Sequence, residues 1–180
     1  MRLKQFGIKT ISSVVSLALV LCFVFEHQSK AAAHNAFGNM VYLTTYPEFA
    51  KSVTLVNGRH GWNNGYFFYN LSYEGYYVYG DFNNDGLKDA AVIISEGEGG
   101  SGDFRALAFL INDGQHLVHR VSRGLGDRAR ILSLKAYNGR VTVDMFVHQD
   151  GDCMAGPTKR VKNVYEFSGP DAHGDKAREA

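Results

Sequence analysis

The stretch "ARILSLKAYNGRVTVDMFVH" (129–148) decides the class of fold. Asn138-Gly139 at its centre is a two-residue hairpin signal, since both residues tolerate the left-handed backbone of a type I′ turn. Beyond the turn, Val141, Val143, Met145 and Val147 alternate with Thr142, Asp144, Phe146 and His148. A period of two sends the first set to a core and leaves the second largely solvated, as in a half-buried strand.

The neighbouring segments read the same way. "FRALAFLI" (104–111) and "HLVHRVS" (116–122) flank the turn residues "NDGQ", and "AAVIIS" (90–95) is an apolar strand. "YFFYNLSY" (66–73) and "YYVYG" (76–80) flank Glu74-Gly75, read as a second two-residue hairpin. "NMVYLTTY" (39–46) and "SVTLVNG" (52–58) open the series, with "YPEFA" between them as a helical turn. "HGWNNG" (60–65) reads as a loop and "EGEGGSGD" (96–103) as a glycine-rich connection, while "RVKNVYEF" (160–167) closes the domain. Residues 34–168 show no long 3.6-residue period. The expected fold is all-β with minor helix: an antiparallel sandwich or barrel-like meander of about nine or ten strands.

Composition agrees. Of 180 residues 45% are hydrophobic and 13% aromatic, enough for a core without disulfide staples. Twenty glycines against three prolines suit a chain of tight turns.

The first 33 residues have the three parts of a secretory signal. Arg2, Lys4 and Lys9 form a basic start, "ISSVVSLALVLCFVF" (11–25) an apolar centre, and "SKAAA" a small-residue cleavage site after Ala33, with Ala36 as an alternative. Residues 8–25 approach the length of a membrane span, so a retained N-terminal anchor is the other reading. Leu21 before Cys22 disfavours a lipid anchor there, where lipoprotein signals carry a small residue. The expected organisation is a signal at 1–33, one β-rich domain at 34–168 and a polar tail at 169–180. The expected location is periplasmic or extracellular, with the membrane engaged only through an uncleaved leader. Residues 34–180 hold 15 basic and 17 acidic groups, a net of −2, which excludes a basic nucleic-acid binder. Cys153 is their only cysteine, so they form no internal disulfide.

Chemistry concentrates in "YGDFNNDGLKDAAVIIS" (79–95). Counting from Asp81, oxygen-bearing side chains fall at positions one (Asp81), three (Asn83), five (Asp85) and nine (Asp89), with Gly86 at six. Alternate residues of a tightly turning loop aim oxygens at one centre; the glycine permits the turn, and the Leu87 carbonyl adds a further oxygen. This hard-oxygen set suits Ca²⁺ rather than zinc or copper. Val92 stands where an EF-hand carries its bidentate glutamate, so an EF-hand is excluded. The competing reading is a metal-free turn, for which Asn84-Asp85-Gly86 suffices. Carboxylates about 5 Å apart repel by roughly 3 kcal/mol at an effective dielectric near 20, which favours a compensating cation.

"GDFNNDGLKDAAVII" resembles the calcium loop of FG-GAP and VCBS-type modules, in which Asp-x-Asn/Asp-x-Asp-Gly-x-x-Asp precedes an apolar strand. Those modules repeat the motif around a propeller; one copy here implies none. With "GGSGDFRALAFLINDG", "LGDRARILSLKAYNGRVTVDM" and "TKRVKNVYEF", the chain resembles a group of small, largely uncharacterised bacterial exported proteins and lipoproteins over most of residues 75–167. The resemblance implies one structural Ca²⁺ loop and supplies no activity to carry over. Relatives often carry paired cysteines before the Pro-Thr matched by Pro157-Thr158, where this chain has Ala155-Gly156.

Other candidates weigh less. "HQDGDCMAGPT" (148–158) gathers His148, Asp150, Asp152 and Cys153, residue types fit for an envelope hydrolase or a transition metal, but equally for a polar loop. His116 and His119 are three apart on a strand and point to opposite faces. "EGEGGSGD" lacks the following helix of a phosphate loop; it reads as an acidic surface loop, with an approach to the aspartate loop as the expectation. "YFFYNLSYEGYYVY" (66–79), with Trp62, is either core or an aromatic platform for a glycan or protein partner. The functional expectation is a non-enzymatic exported β-domain with one structural Ca²⁺ loop, acting as an envelope binding or structural module.

Overall fold

A computed structural model describes residues 8–45, 50–154, 156–169 and 178–179. The chain divides into two compact units, Met1–Ala36 and Phe37–Ala180. In the first, the apolar run is helical, within α1 (Ile8–Phe37); it contains no proline or glycine to break it. Among the described residues no helix is long and apolar enough to cross a membrane.

The second unit is built from antiparallel strands. In chain order they are β1 (Val41–Leu43), β2 (Ser52–Thr54), β3 (Arg59–Asn63), β4 (Phe68–Gly80), β5 (Asp89–Gly97) and β6 (Phe104–Asn112). Then follow β7 (Leu117–Asp127), β8 (Arg130–Tyr137), β9 (Arg140–Val147), β10 (Lys159–Glu166) and the two-residue β11 (Arg178–Glu179). β3-β4-β5-β6-β7 form a five-stranded meander, β11-β10-β9-β8 a four-stranded one, and β1-β2 a small hairpin.

The core lies between the two larger sheets. Ala91, Ile93, Leu107 and Phe109 from one meet Ile131, Val141, Val143 and Met145 from the other. The fold is therefore an all-β antiparallel sandwich with minor helix. Asn138 and Gly139 both have positive φ, 47° and 71°, and pair β8 with β9 as the turn chemistry requires.

β5 is buried along its whole length. Its second face, with Ala90, Val92 and Ile94, is covered as well. Leu110 pairs with Ala90 and with His119, so His119 points to that same side. There the Leu43 amide donates to His119 Nδ1 at 2.9 Å, and the Tyr42 and His119 rings lie 5.4 Å apart. β1 thus docks on the side opposite the sandwich core. Burial on both faces explains why 90–95 is a continuous apolar run rather than an alternating one.

Three local expectations are corrected. Glu74-Gly75 is not a hairpin: β4 runs through it as a bulge, with the register against β5 shifting between Tyr73 and Tyr77 and Gly75 at φ 82°. "HGWNNG" is largely strand β3, which pairs with β4 from Arg59↔Ser72 to Asn63↔Phe68. The 98–103 connection lies at the opposite end of β5 from the aspartate loop, so it lends that loop no carboxylate.

Candidate functional site

The aspartate-rich loop joins β4 to β5 and is anchored at both ends. Phe82 turns back into the core, 3% exposed, and packs edge-to-face on Phe109 with ring centroids 5.4 Å apart. Gly80 makes room for it, because a Cβ there would sit 2.7 Å from the Phe82 ring. At the other end Asp89 is fully buried: Oδ2 accepts the Phe82 amide and Oδ1 the Asn112 amide, each at 2.8 Å. Asn112 Nδ2 donates to the Lys88 carbonyl at 3.2 Å. One carboxylate therefore closes the loop and ties it to the end of β6.

Between these anchors the loop winds on its own amides. Asp81 accepts from the Asp85 amide through Oδ1 at 3.2 Å and from the Gly86 amide through Oδ2 at 3.0 Å. Asn83 Oδ1 also accepts the Asp85 amide at 3.2 Å, and its Nδ2 donates to Asp85 Oδ2 at 2.7 Å. Asp85 Oδ1 accepts the Leu87 amide at 2.7 Å. Asn84 and Gly86 take positive φ, 61° and 84°, which lets successive amides face inward. The β8–β9 turn lies alongside: a Cβ on Gly139 would stand 3.4 Å from the Asp81 carbonyl oxygen.

Asp81 and Asn83 thus point toward the loop interior, and Asp85 joins them at its rim. Asp89 sits below, in the protein. Among the described residues no three His, Cys, Asp or Glu side chains are gathered as a metal site. The donors around the ring are all oxygens, and each carboxylate retains lone pairs beyond its amide bonds, so the set is chemically suited to a hard cation. Asn112 and Gly139, far off in the chain, carried no sign in sequence that they adjoin this loop.

The 148–158 loop is organised differently. Asp152 Oδ1 accepts the Thr158 hydroxyl at 2.6 Å, and Oδ2 accepts the Gln149 and Thr158 amides at 3.0 and 2.9 Å. The Thr158 hydroxyl is the chief cause holding the Asp152 carboxyl below its ordinary range. His148 Nδ1 is 3.9 Å from Asp152, Cys153 is exposed, and Asp150 lies on the loop surface. Asp152 therefore acts as the loop's clasp. His116 is exposed beside Asp113, while His119 is buried under β1, so the two share no site.

The aromatic stretch divides between the two alternatives. Tyr69 and Tyr73 are core, whereas Tyr66, Phe68, Tyr76 and Tyr79 are exposed. Sequence reading also missed one buried acid, Glu96, and one half-buried acid, Glu74. Glu96 accepts the Tyr69 hydroxyl at 2.6 Å, the Thr45 hydroxyl at 2.5 Å and the Thr45 amide at 3.1 Å, pinning the segment after β1. Glu74, turned inward by the bulge, meets the Ser95 hydroxyl at 2.7 Å and Arg105 at 3.4 Å. Comparison with protein families, with curated proteins and with solved structures finds no match.

Proposed function

We propose that this chain is an exported, non-enzymatic β-sandwich whose 81–89 loop binds one structural Ca²⁺, as in the bacterial exported proteins it resembles. Asp81, Asn83 and Asp85 supply side-chain oxygens, Leu87 its carbonyl, and Asp89 both a ligand oxygen and the loop's attachment. Gly86 supplies the turn. The observation that carries the reading is the inward fold of Asp81 and Asn83 onto the Asp85 and Gly86 amides. It puts hard oxygens on the inner side of a loop whose ends are fixed by Phe82 and Asp89. The ion would stiffen the junction of β4, β5, β6 and the β8–β9 turn, and so serve the module's rigidity at the cell envelope.

Calorimetric titration of the chelator-treated protein with Ca²⁺, alongside melting curves with Ca²⁺ and with chelator, tests the reading. Heat of binding and a higher melting temperature with Ca²⁺ are expected. No heat and coincident melting curves defeat it.

A further inference from the structure

We infer that the outward face of the β8–β9–β10 sheet is a binding surface for an acidic polysaccharide. Strand register puts Arg130 and Lys135 of β8, Arg140 of β9, and Arg160 and Lys162 of β10 on the side away from the core. All five are exposed. Asp144 and Glu166 are the two carboxylates on that face. Residues 34–180 are net negative, so this excess of cations is segregated rather than a sample of the whole surface.

Asp144 organises the centre. Arg160 grips it through Nε at 2.9 Å and Nη2 at 2.8 Å, and Lys162 stands 3.8 Å away. These cations, Arg160 foremost and Lys135 least, hold the Asp144 carboxyl below its ordinary range. Its side chain is only 11% exposed, beneath cations of which Arg160 and Lys162 are 58% and 64% exposed. One carboxylate under three cations orients them and leaves positive charge facing solvent. Arg140 and Glu166 neutralise each other at 2.6 Å, and the Arg130 guanidinium lies 4.4 Å above the Phe146 ring.

The occupant must be anionic and extended. Adjacent strands are about 4.8 Å apart and same-face residues along a strand about 6.8 Å, so a linear polyanion would meet several cations in succession. Tyr137, 78% exposed, offers a ring at the same face, and Ser133 and Thr142 offer hydroxyls, groups suited to sugar rings and their hydroxyls. Duplex DNA has no free sugar hydroxyls along its backbone and stacks its bases inward, so Tyr137, Ser133 and Thr142 favour a polysaccharide over it. A lipid surface would need an inserting apolar group, and Phe146 lies under Arg130.

The test is equilibrium binding of the full chain to polygalacturonate in calcium-free buffer, with neutral dextran, duplex DNA and anionic phosphatidylglycerol vesicles as comparators. Binding to polygalacturonate that is lost at about 0.5 M salt is expected. The Lys135→Glu/Lys162→Glu variant should bind about tenfold more weakly or worse, while Lys51→Glu, on β1-β2's side of the chain, binds as the parent does. If circular dichroism shows the double variant misfolded, Lys135→Gln and Lys162→Gln singly should each weaken binding. No binding, binding indifferent to salt, unchanged affinity in folded variants, or preference for DNA or vesicles each overturns the inference.

Discussion

The Leu43 amide donates to His119 Nδ1 across 76 positions of sequence, and this bond fixes β1 to the five-stranded sheet. Nδ1 is therefore an acceptor, so the imidazole is the neutral tautomer with its proton on Nε2, 3.0 Å from Ser122 Oγ. Burial pushes the His119 pKa down to about 4. Protonation would turn Nδ1 into a second donor facing the Leu43 N–H.

The consequence is an acid-sensitive fold. The unfolded state binds the proton near pH 6.5 and the folded state only near 4, so the contribution is present above about 6.5 and lost as pH falls to about 4. The full loss is about 3 kcal/mol. Urea midpoints measured across this window should fall in the parent and stay flatter in His119→Phe. Equal slopes would show that His119 is not the titrating group.

Asp89 should be the loop's least replaceable residue. Asp89→Ala leaves the buried Phe82 amide without its acceptor, costing roughly 1–3 kcal/mol, and the half-buried Asn112 amide likewise at a smaller cost. Asp89→Asn keeps one acceptor oxygen and should lose less. Chemical denaturation ranks the two variants, and an Asn variant as unstable as the Ala one would contradict this account.

Removing ring ligands should separate metal binding from folding. With a Kd on the order of 10⁻⁴ to 10⁻³ M, tenfold excess of Ca²⁺ over Kd adds about 1.4 kcal/mol of stability. Asp81→Ala and Asp85→Ala should abolish that increment while remaining folded with chelator, since both side chains bond only within the loop. Retention of the full Ca²⁺ increment in both variants would place the ion elsewhere.

The bulge in β4 makes a further prediction. Gly75 has φ 82°, so Gly75→Ala should destabilise by roughly 1–2 kcal/mol, read as a shift in urea midpoint with unchanged slope. A hairpin at this position would instead have separated 66–73 from 76–80 as neighbouring strands. Pairing of Tyr73 with Ile94 and of Tyr77 with Val92 is the contact pattern that nuclear Overhauser measurements should find.

His148 Nδ1 lies 3.9 Å from Asp152 Oδ2, and Cys153 is exposed. Cys153→Ser should change stability by no more than about 0.5 kcal/mol. Loss of a measured hydrolytic activity in Cys153→Ser would favour the envelope-hydrolase reading of this loop.

By itself the sequence determined the features that depend on near neighbours. Asn138-Gly139 states its turn because both residues accept positive φ, and 141–147 states its strand because apolar side chains recur every second position. The Asp-x-Asn-x-Asp-Gly spacing likewise announces a loop of inward oxygens, since those contacts span five residues or fewer. Glu74-Gly75 was misread because a left-handed glycine serves a bulge as well as a hairpin, and the difference lies in which strand pairs alongside. Only the tertiary structure decided that Asp89 holds the Asn112 amide, that His119 anchors β1, and that Arg130, Lys135, Arg140, Arg160 and Lys162 share one open face. Each of those depends on strand pairing between distant segments, and a local pattern of dihedral preference and hydrophobicity carries no record of the partner's identity.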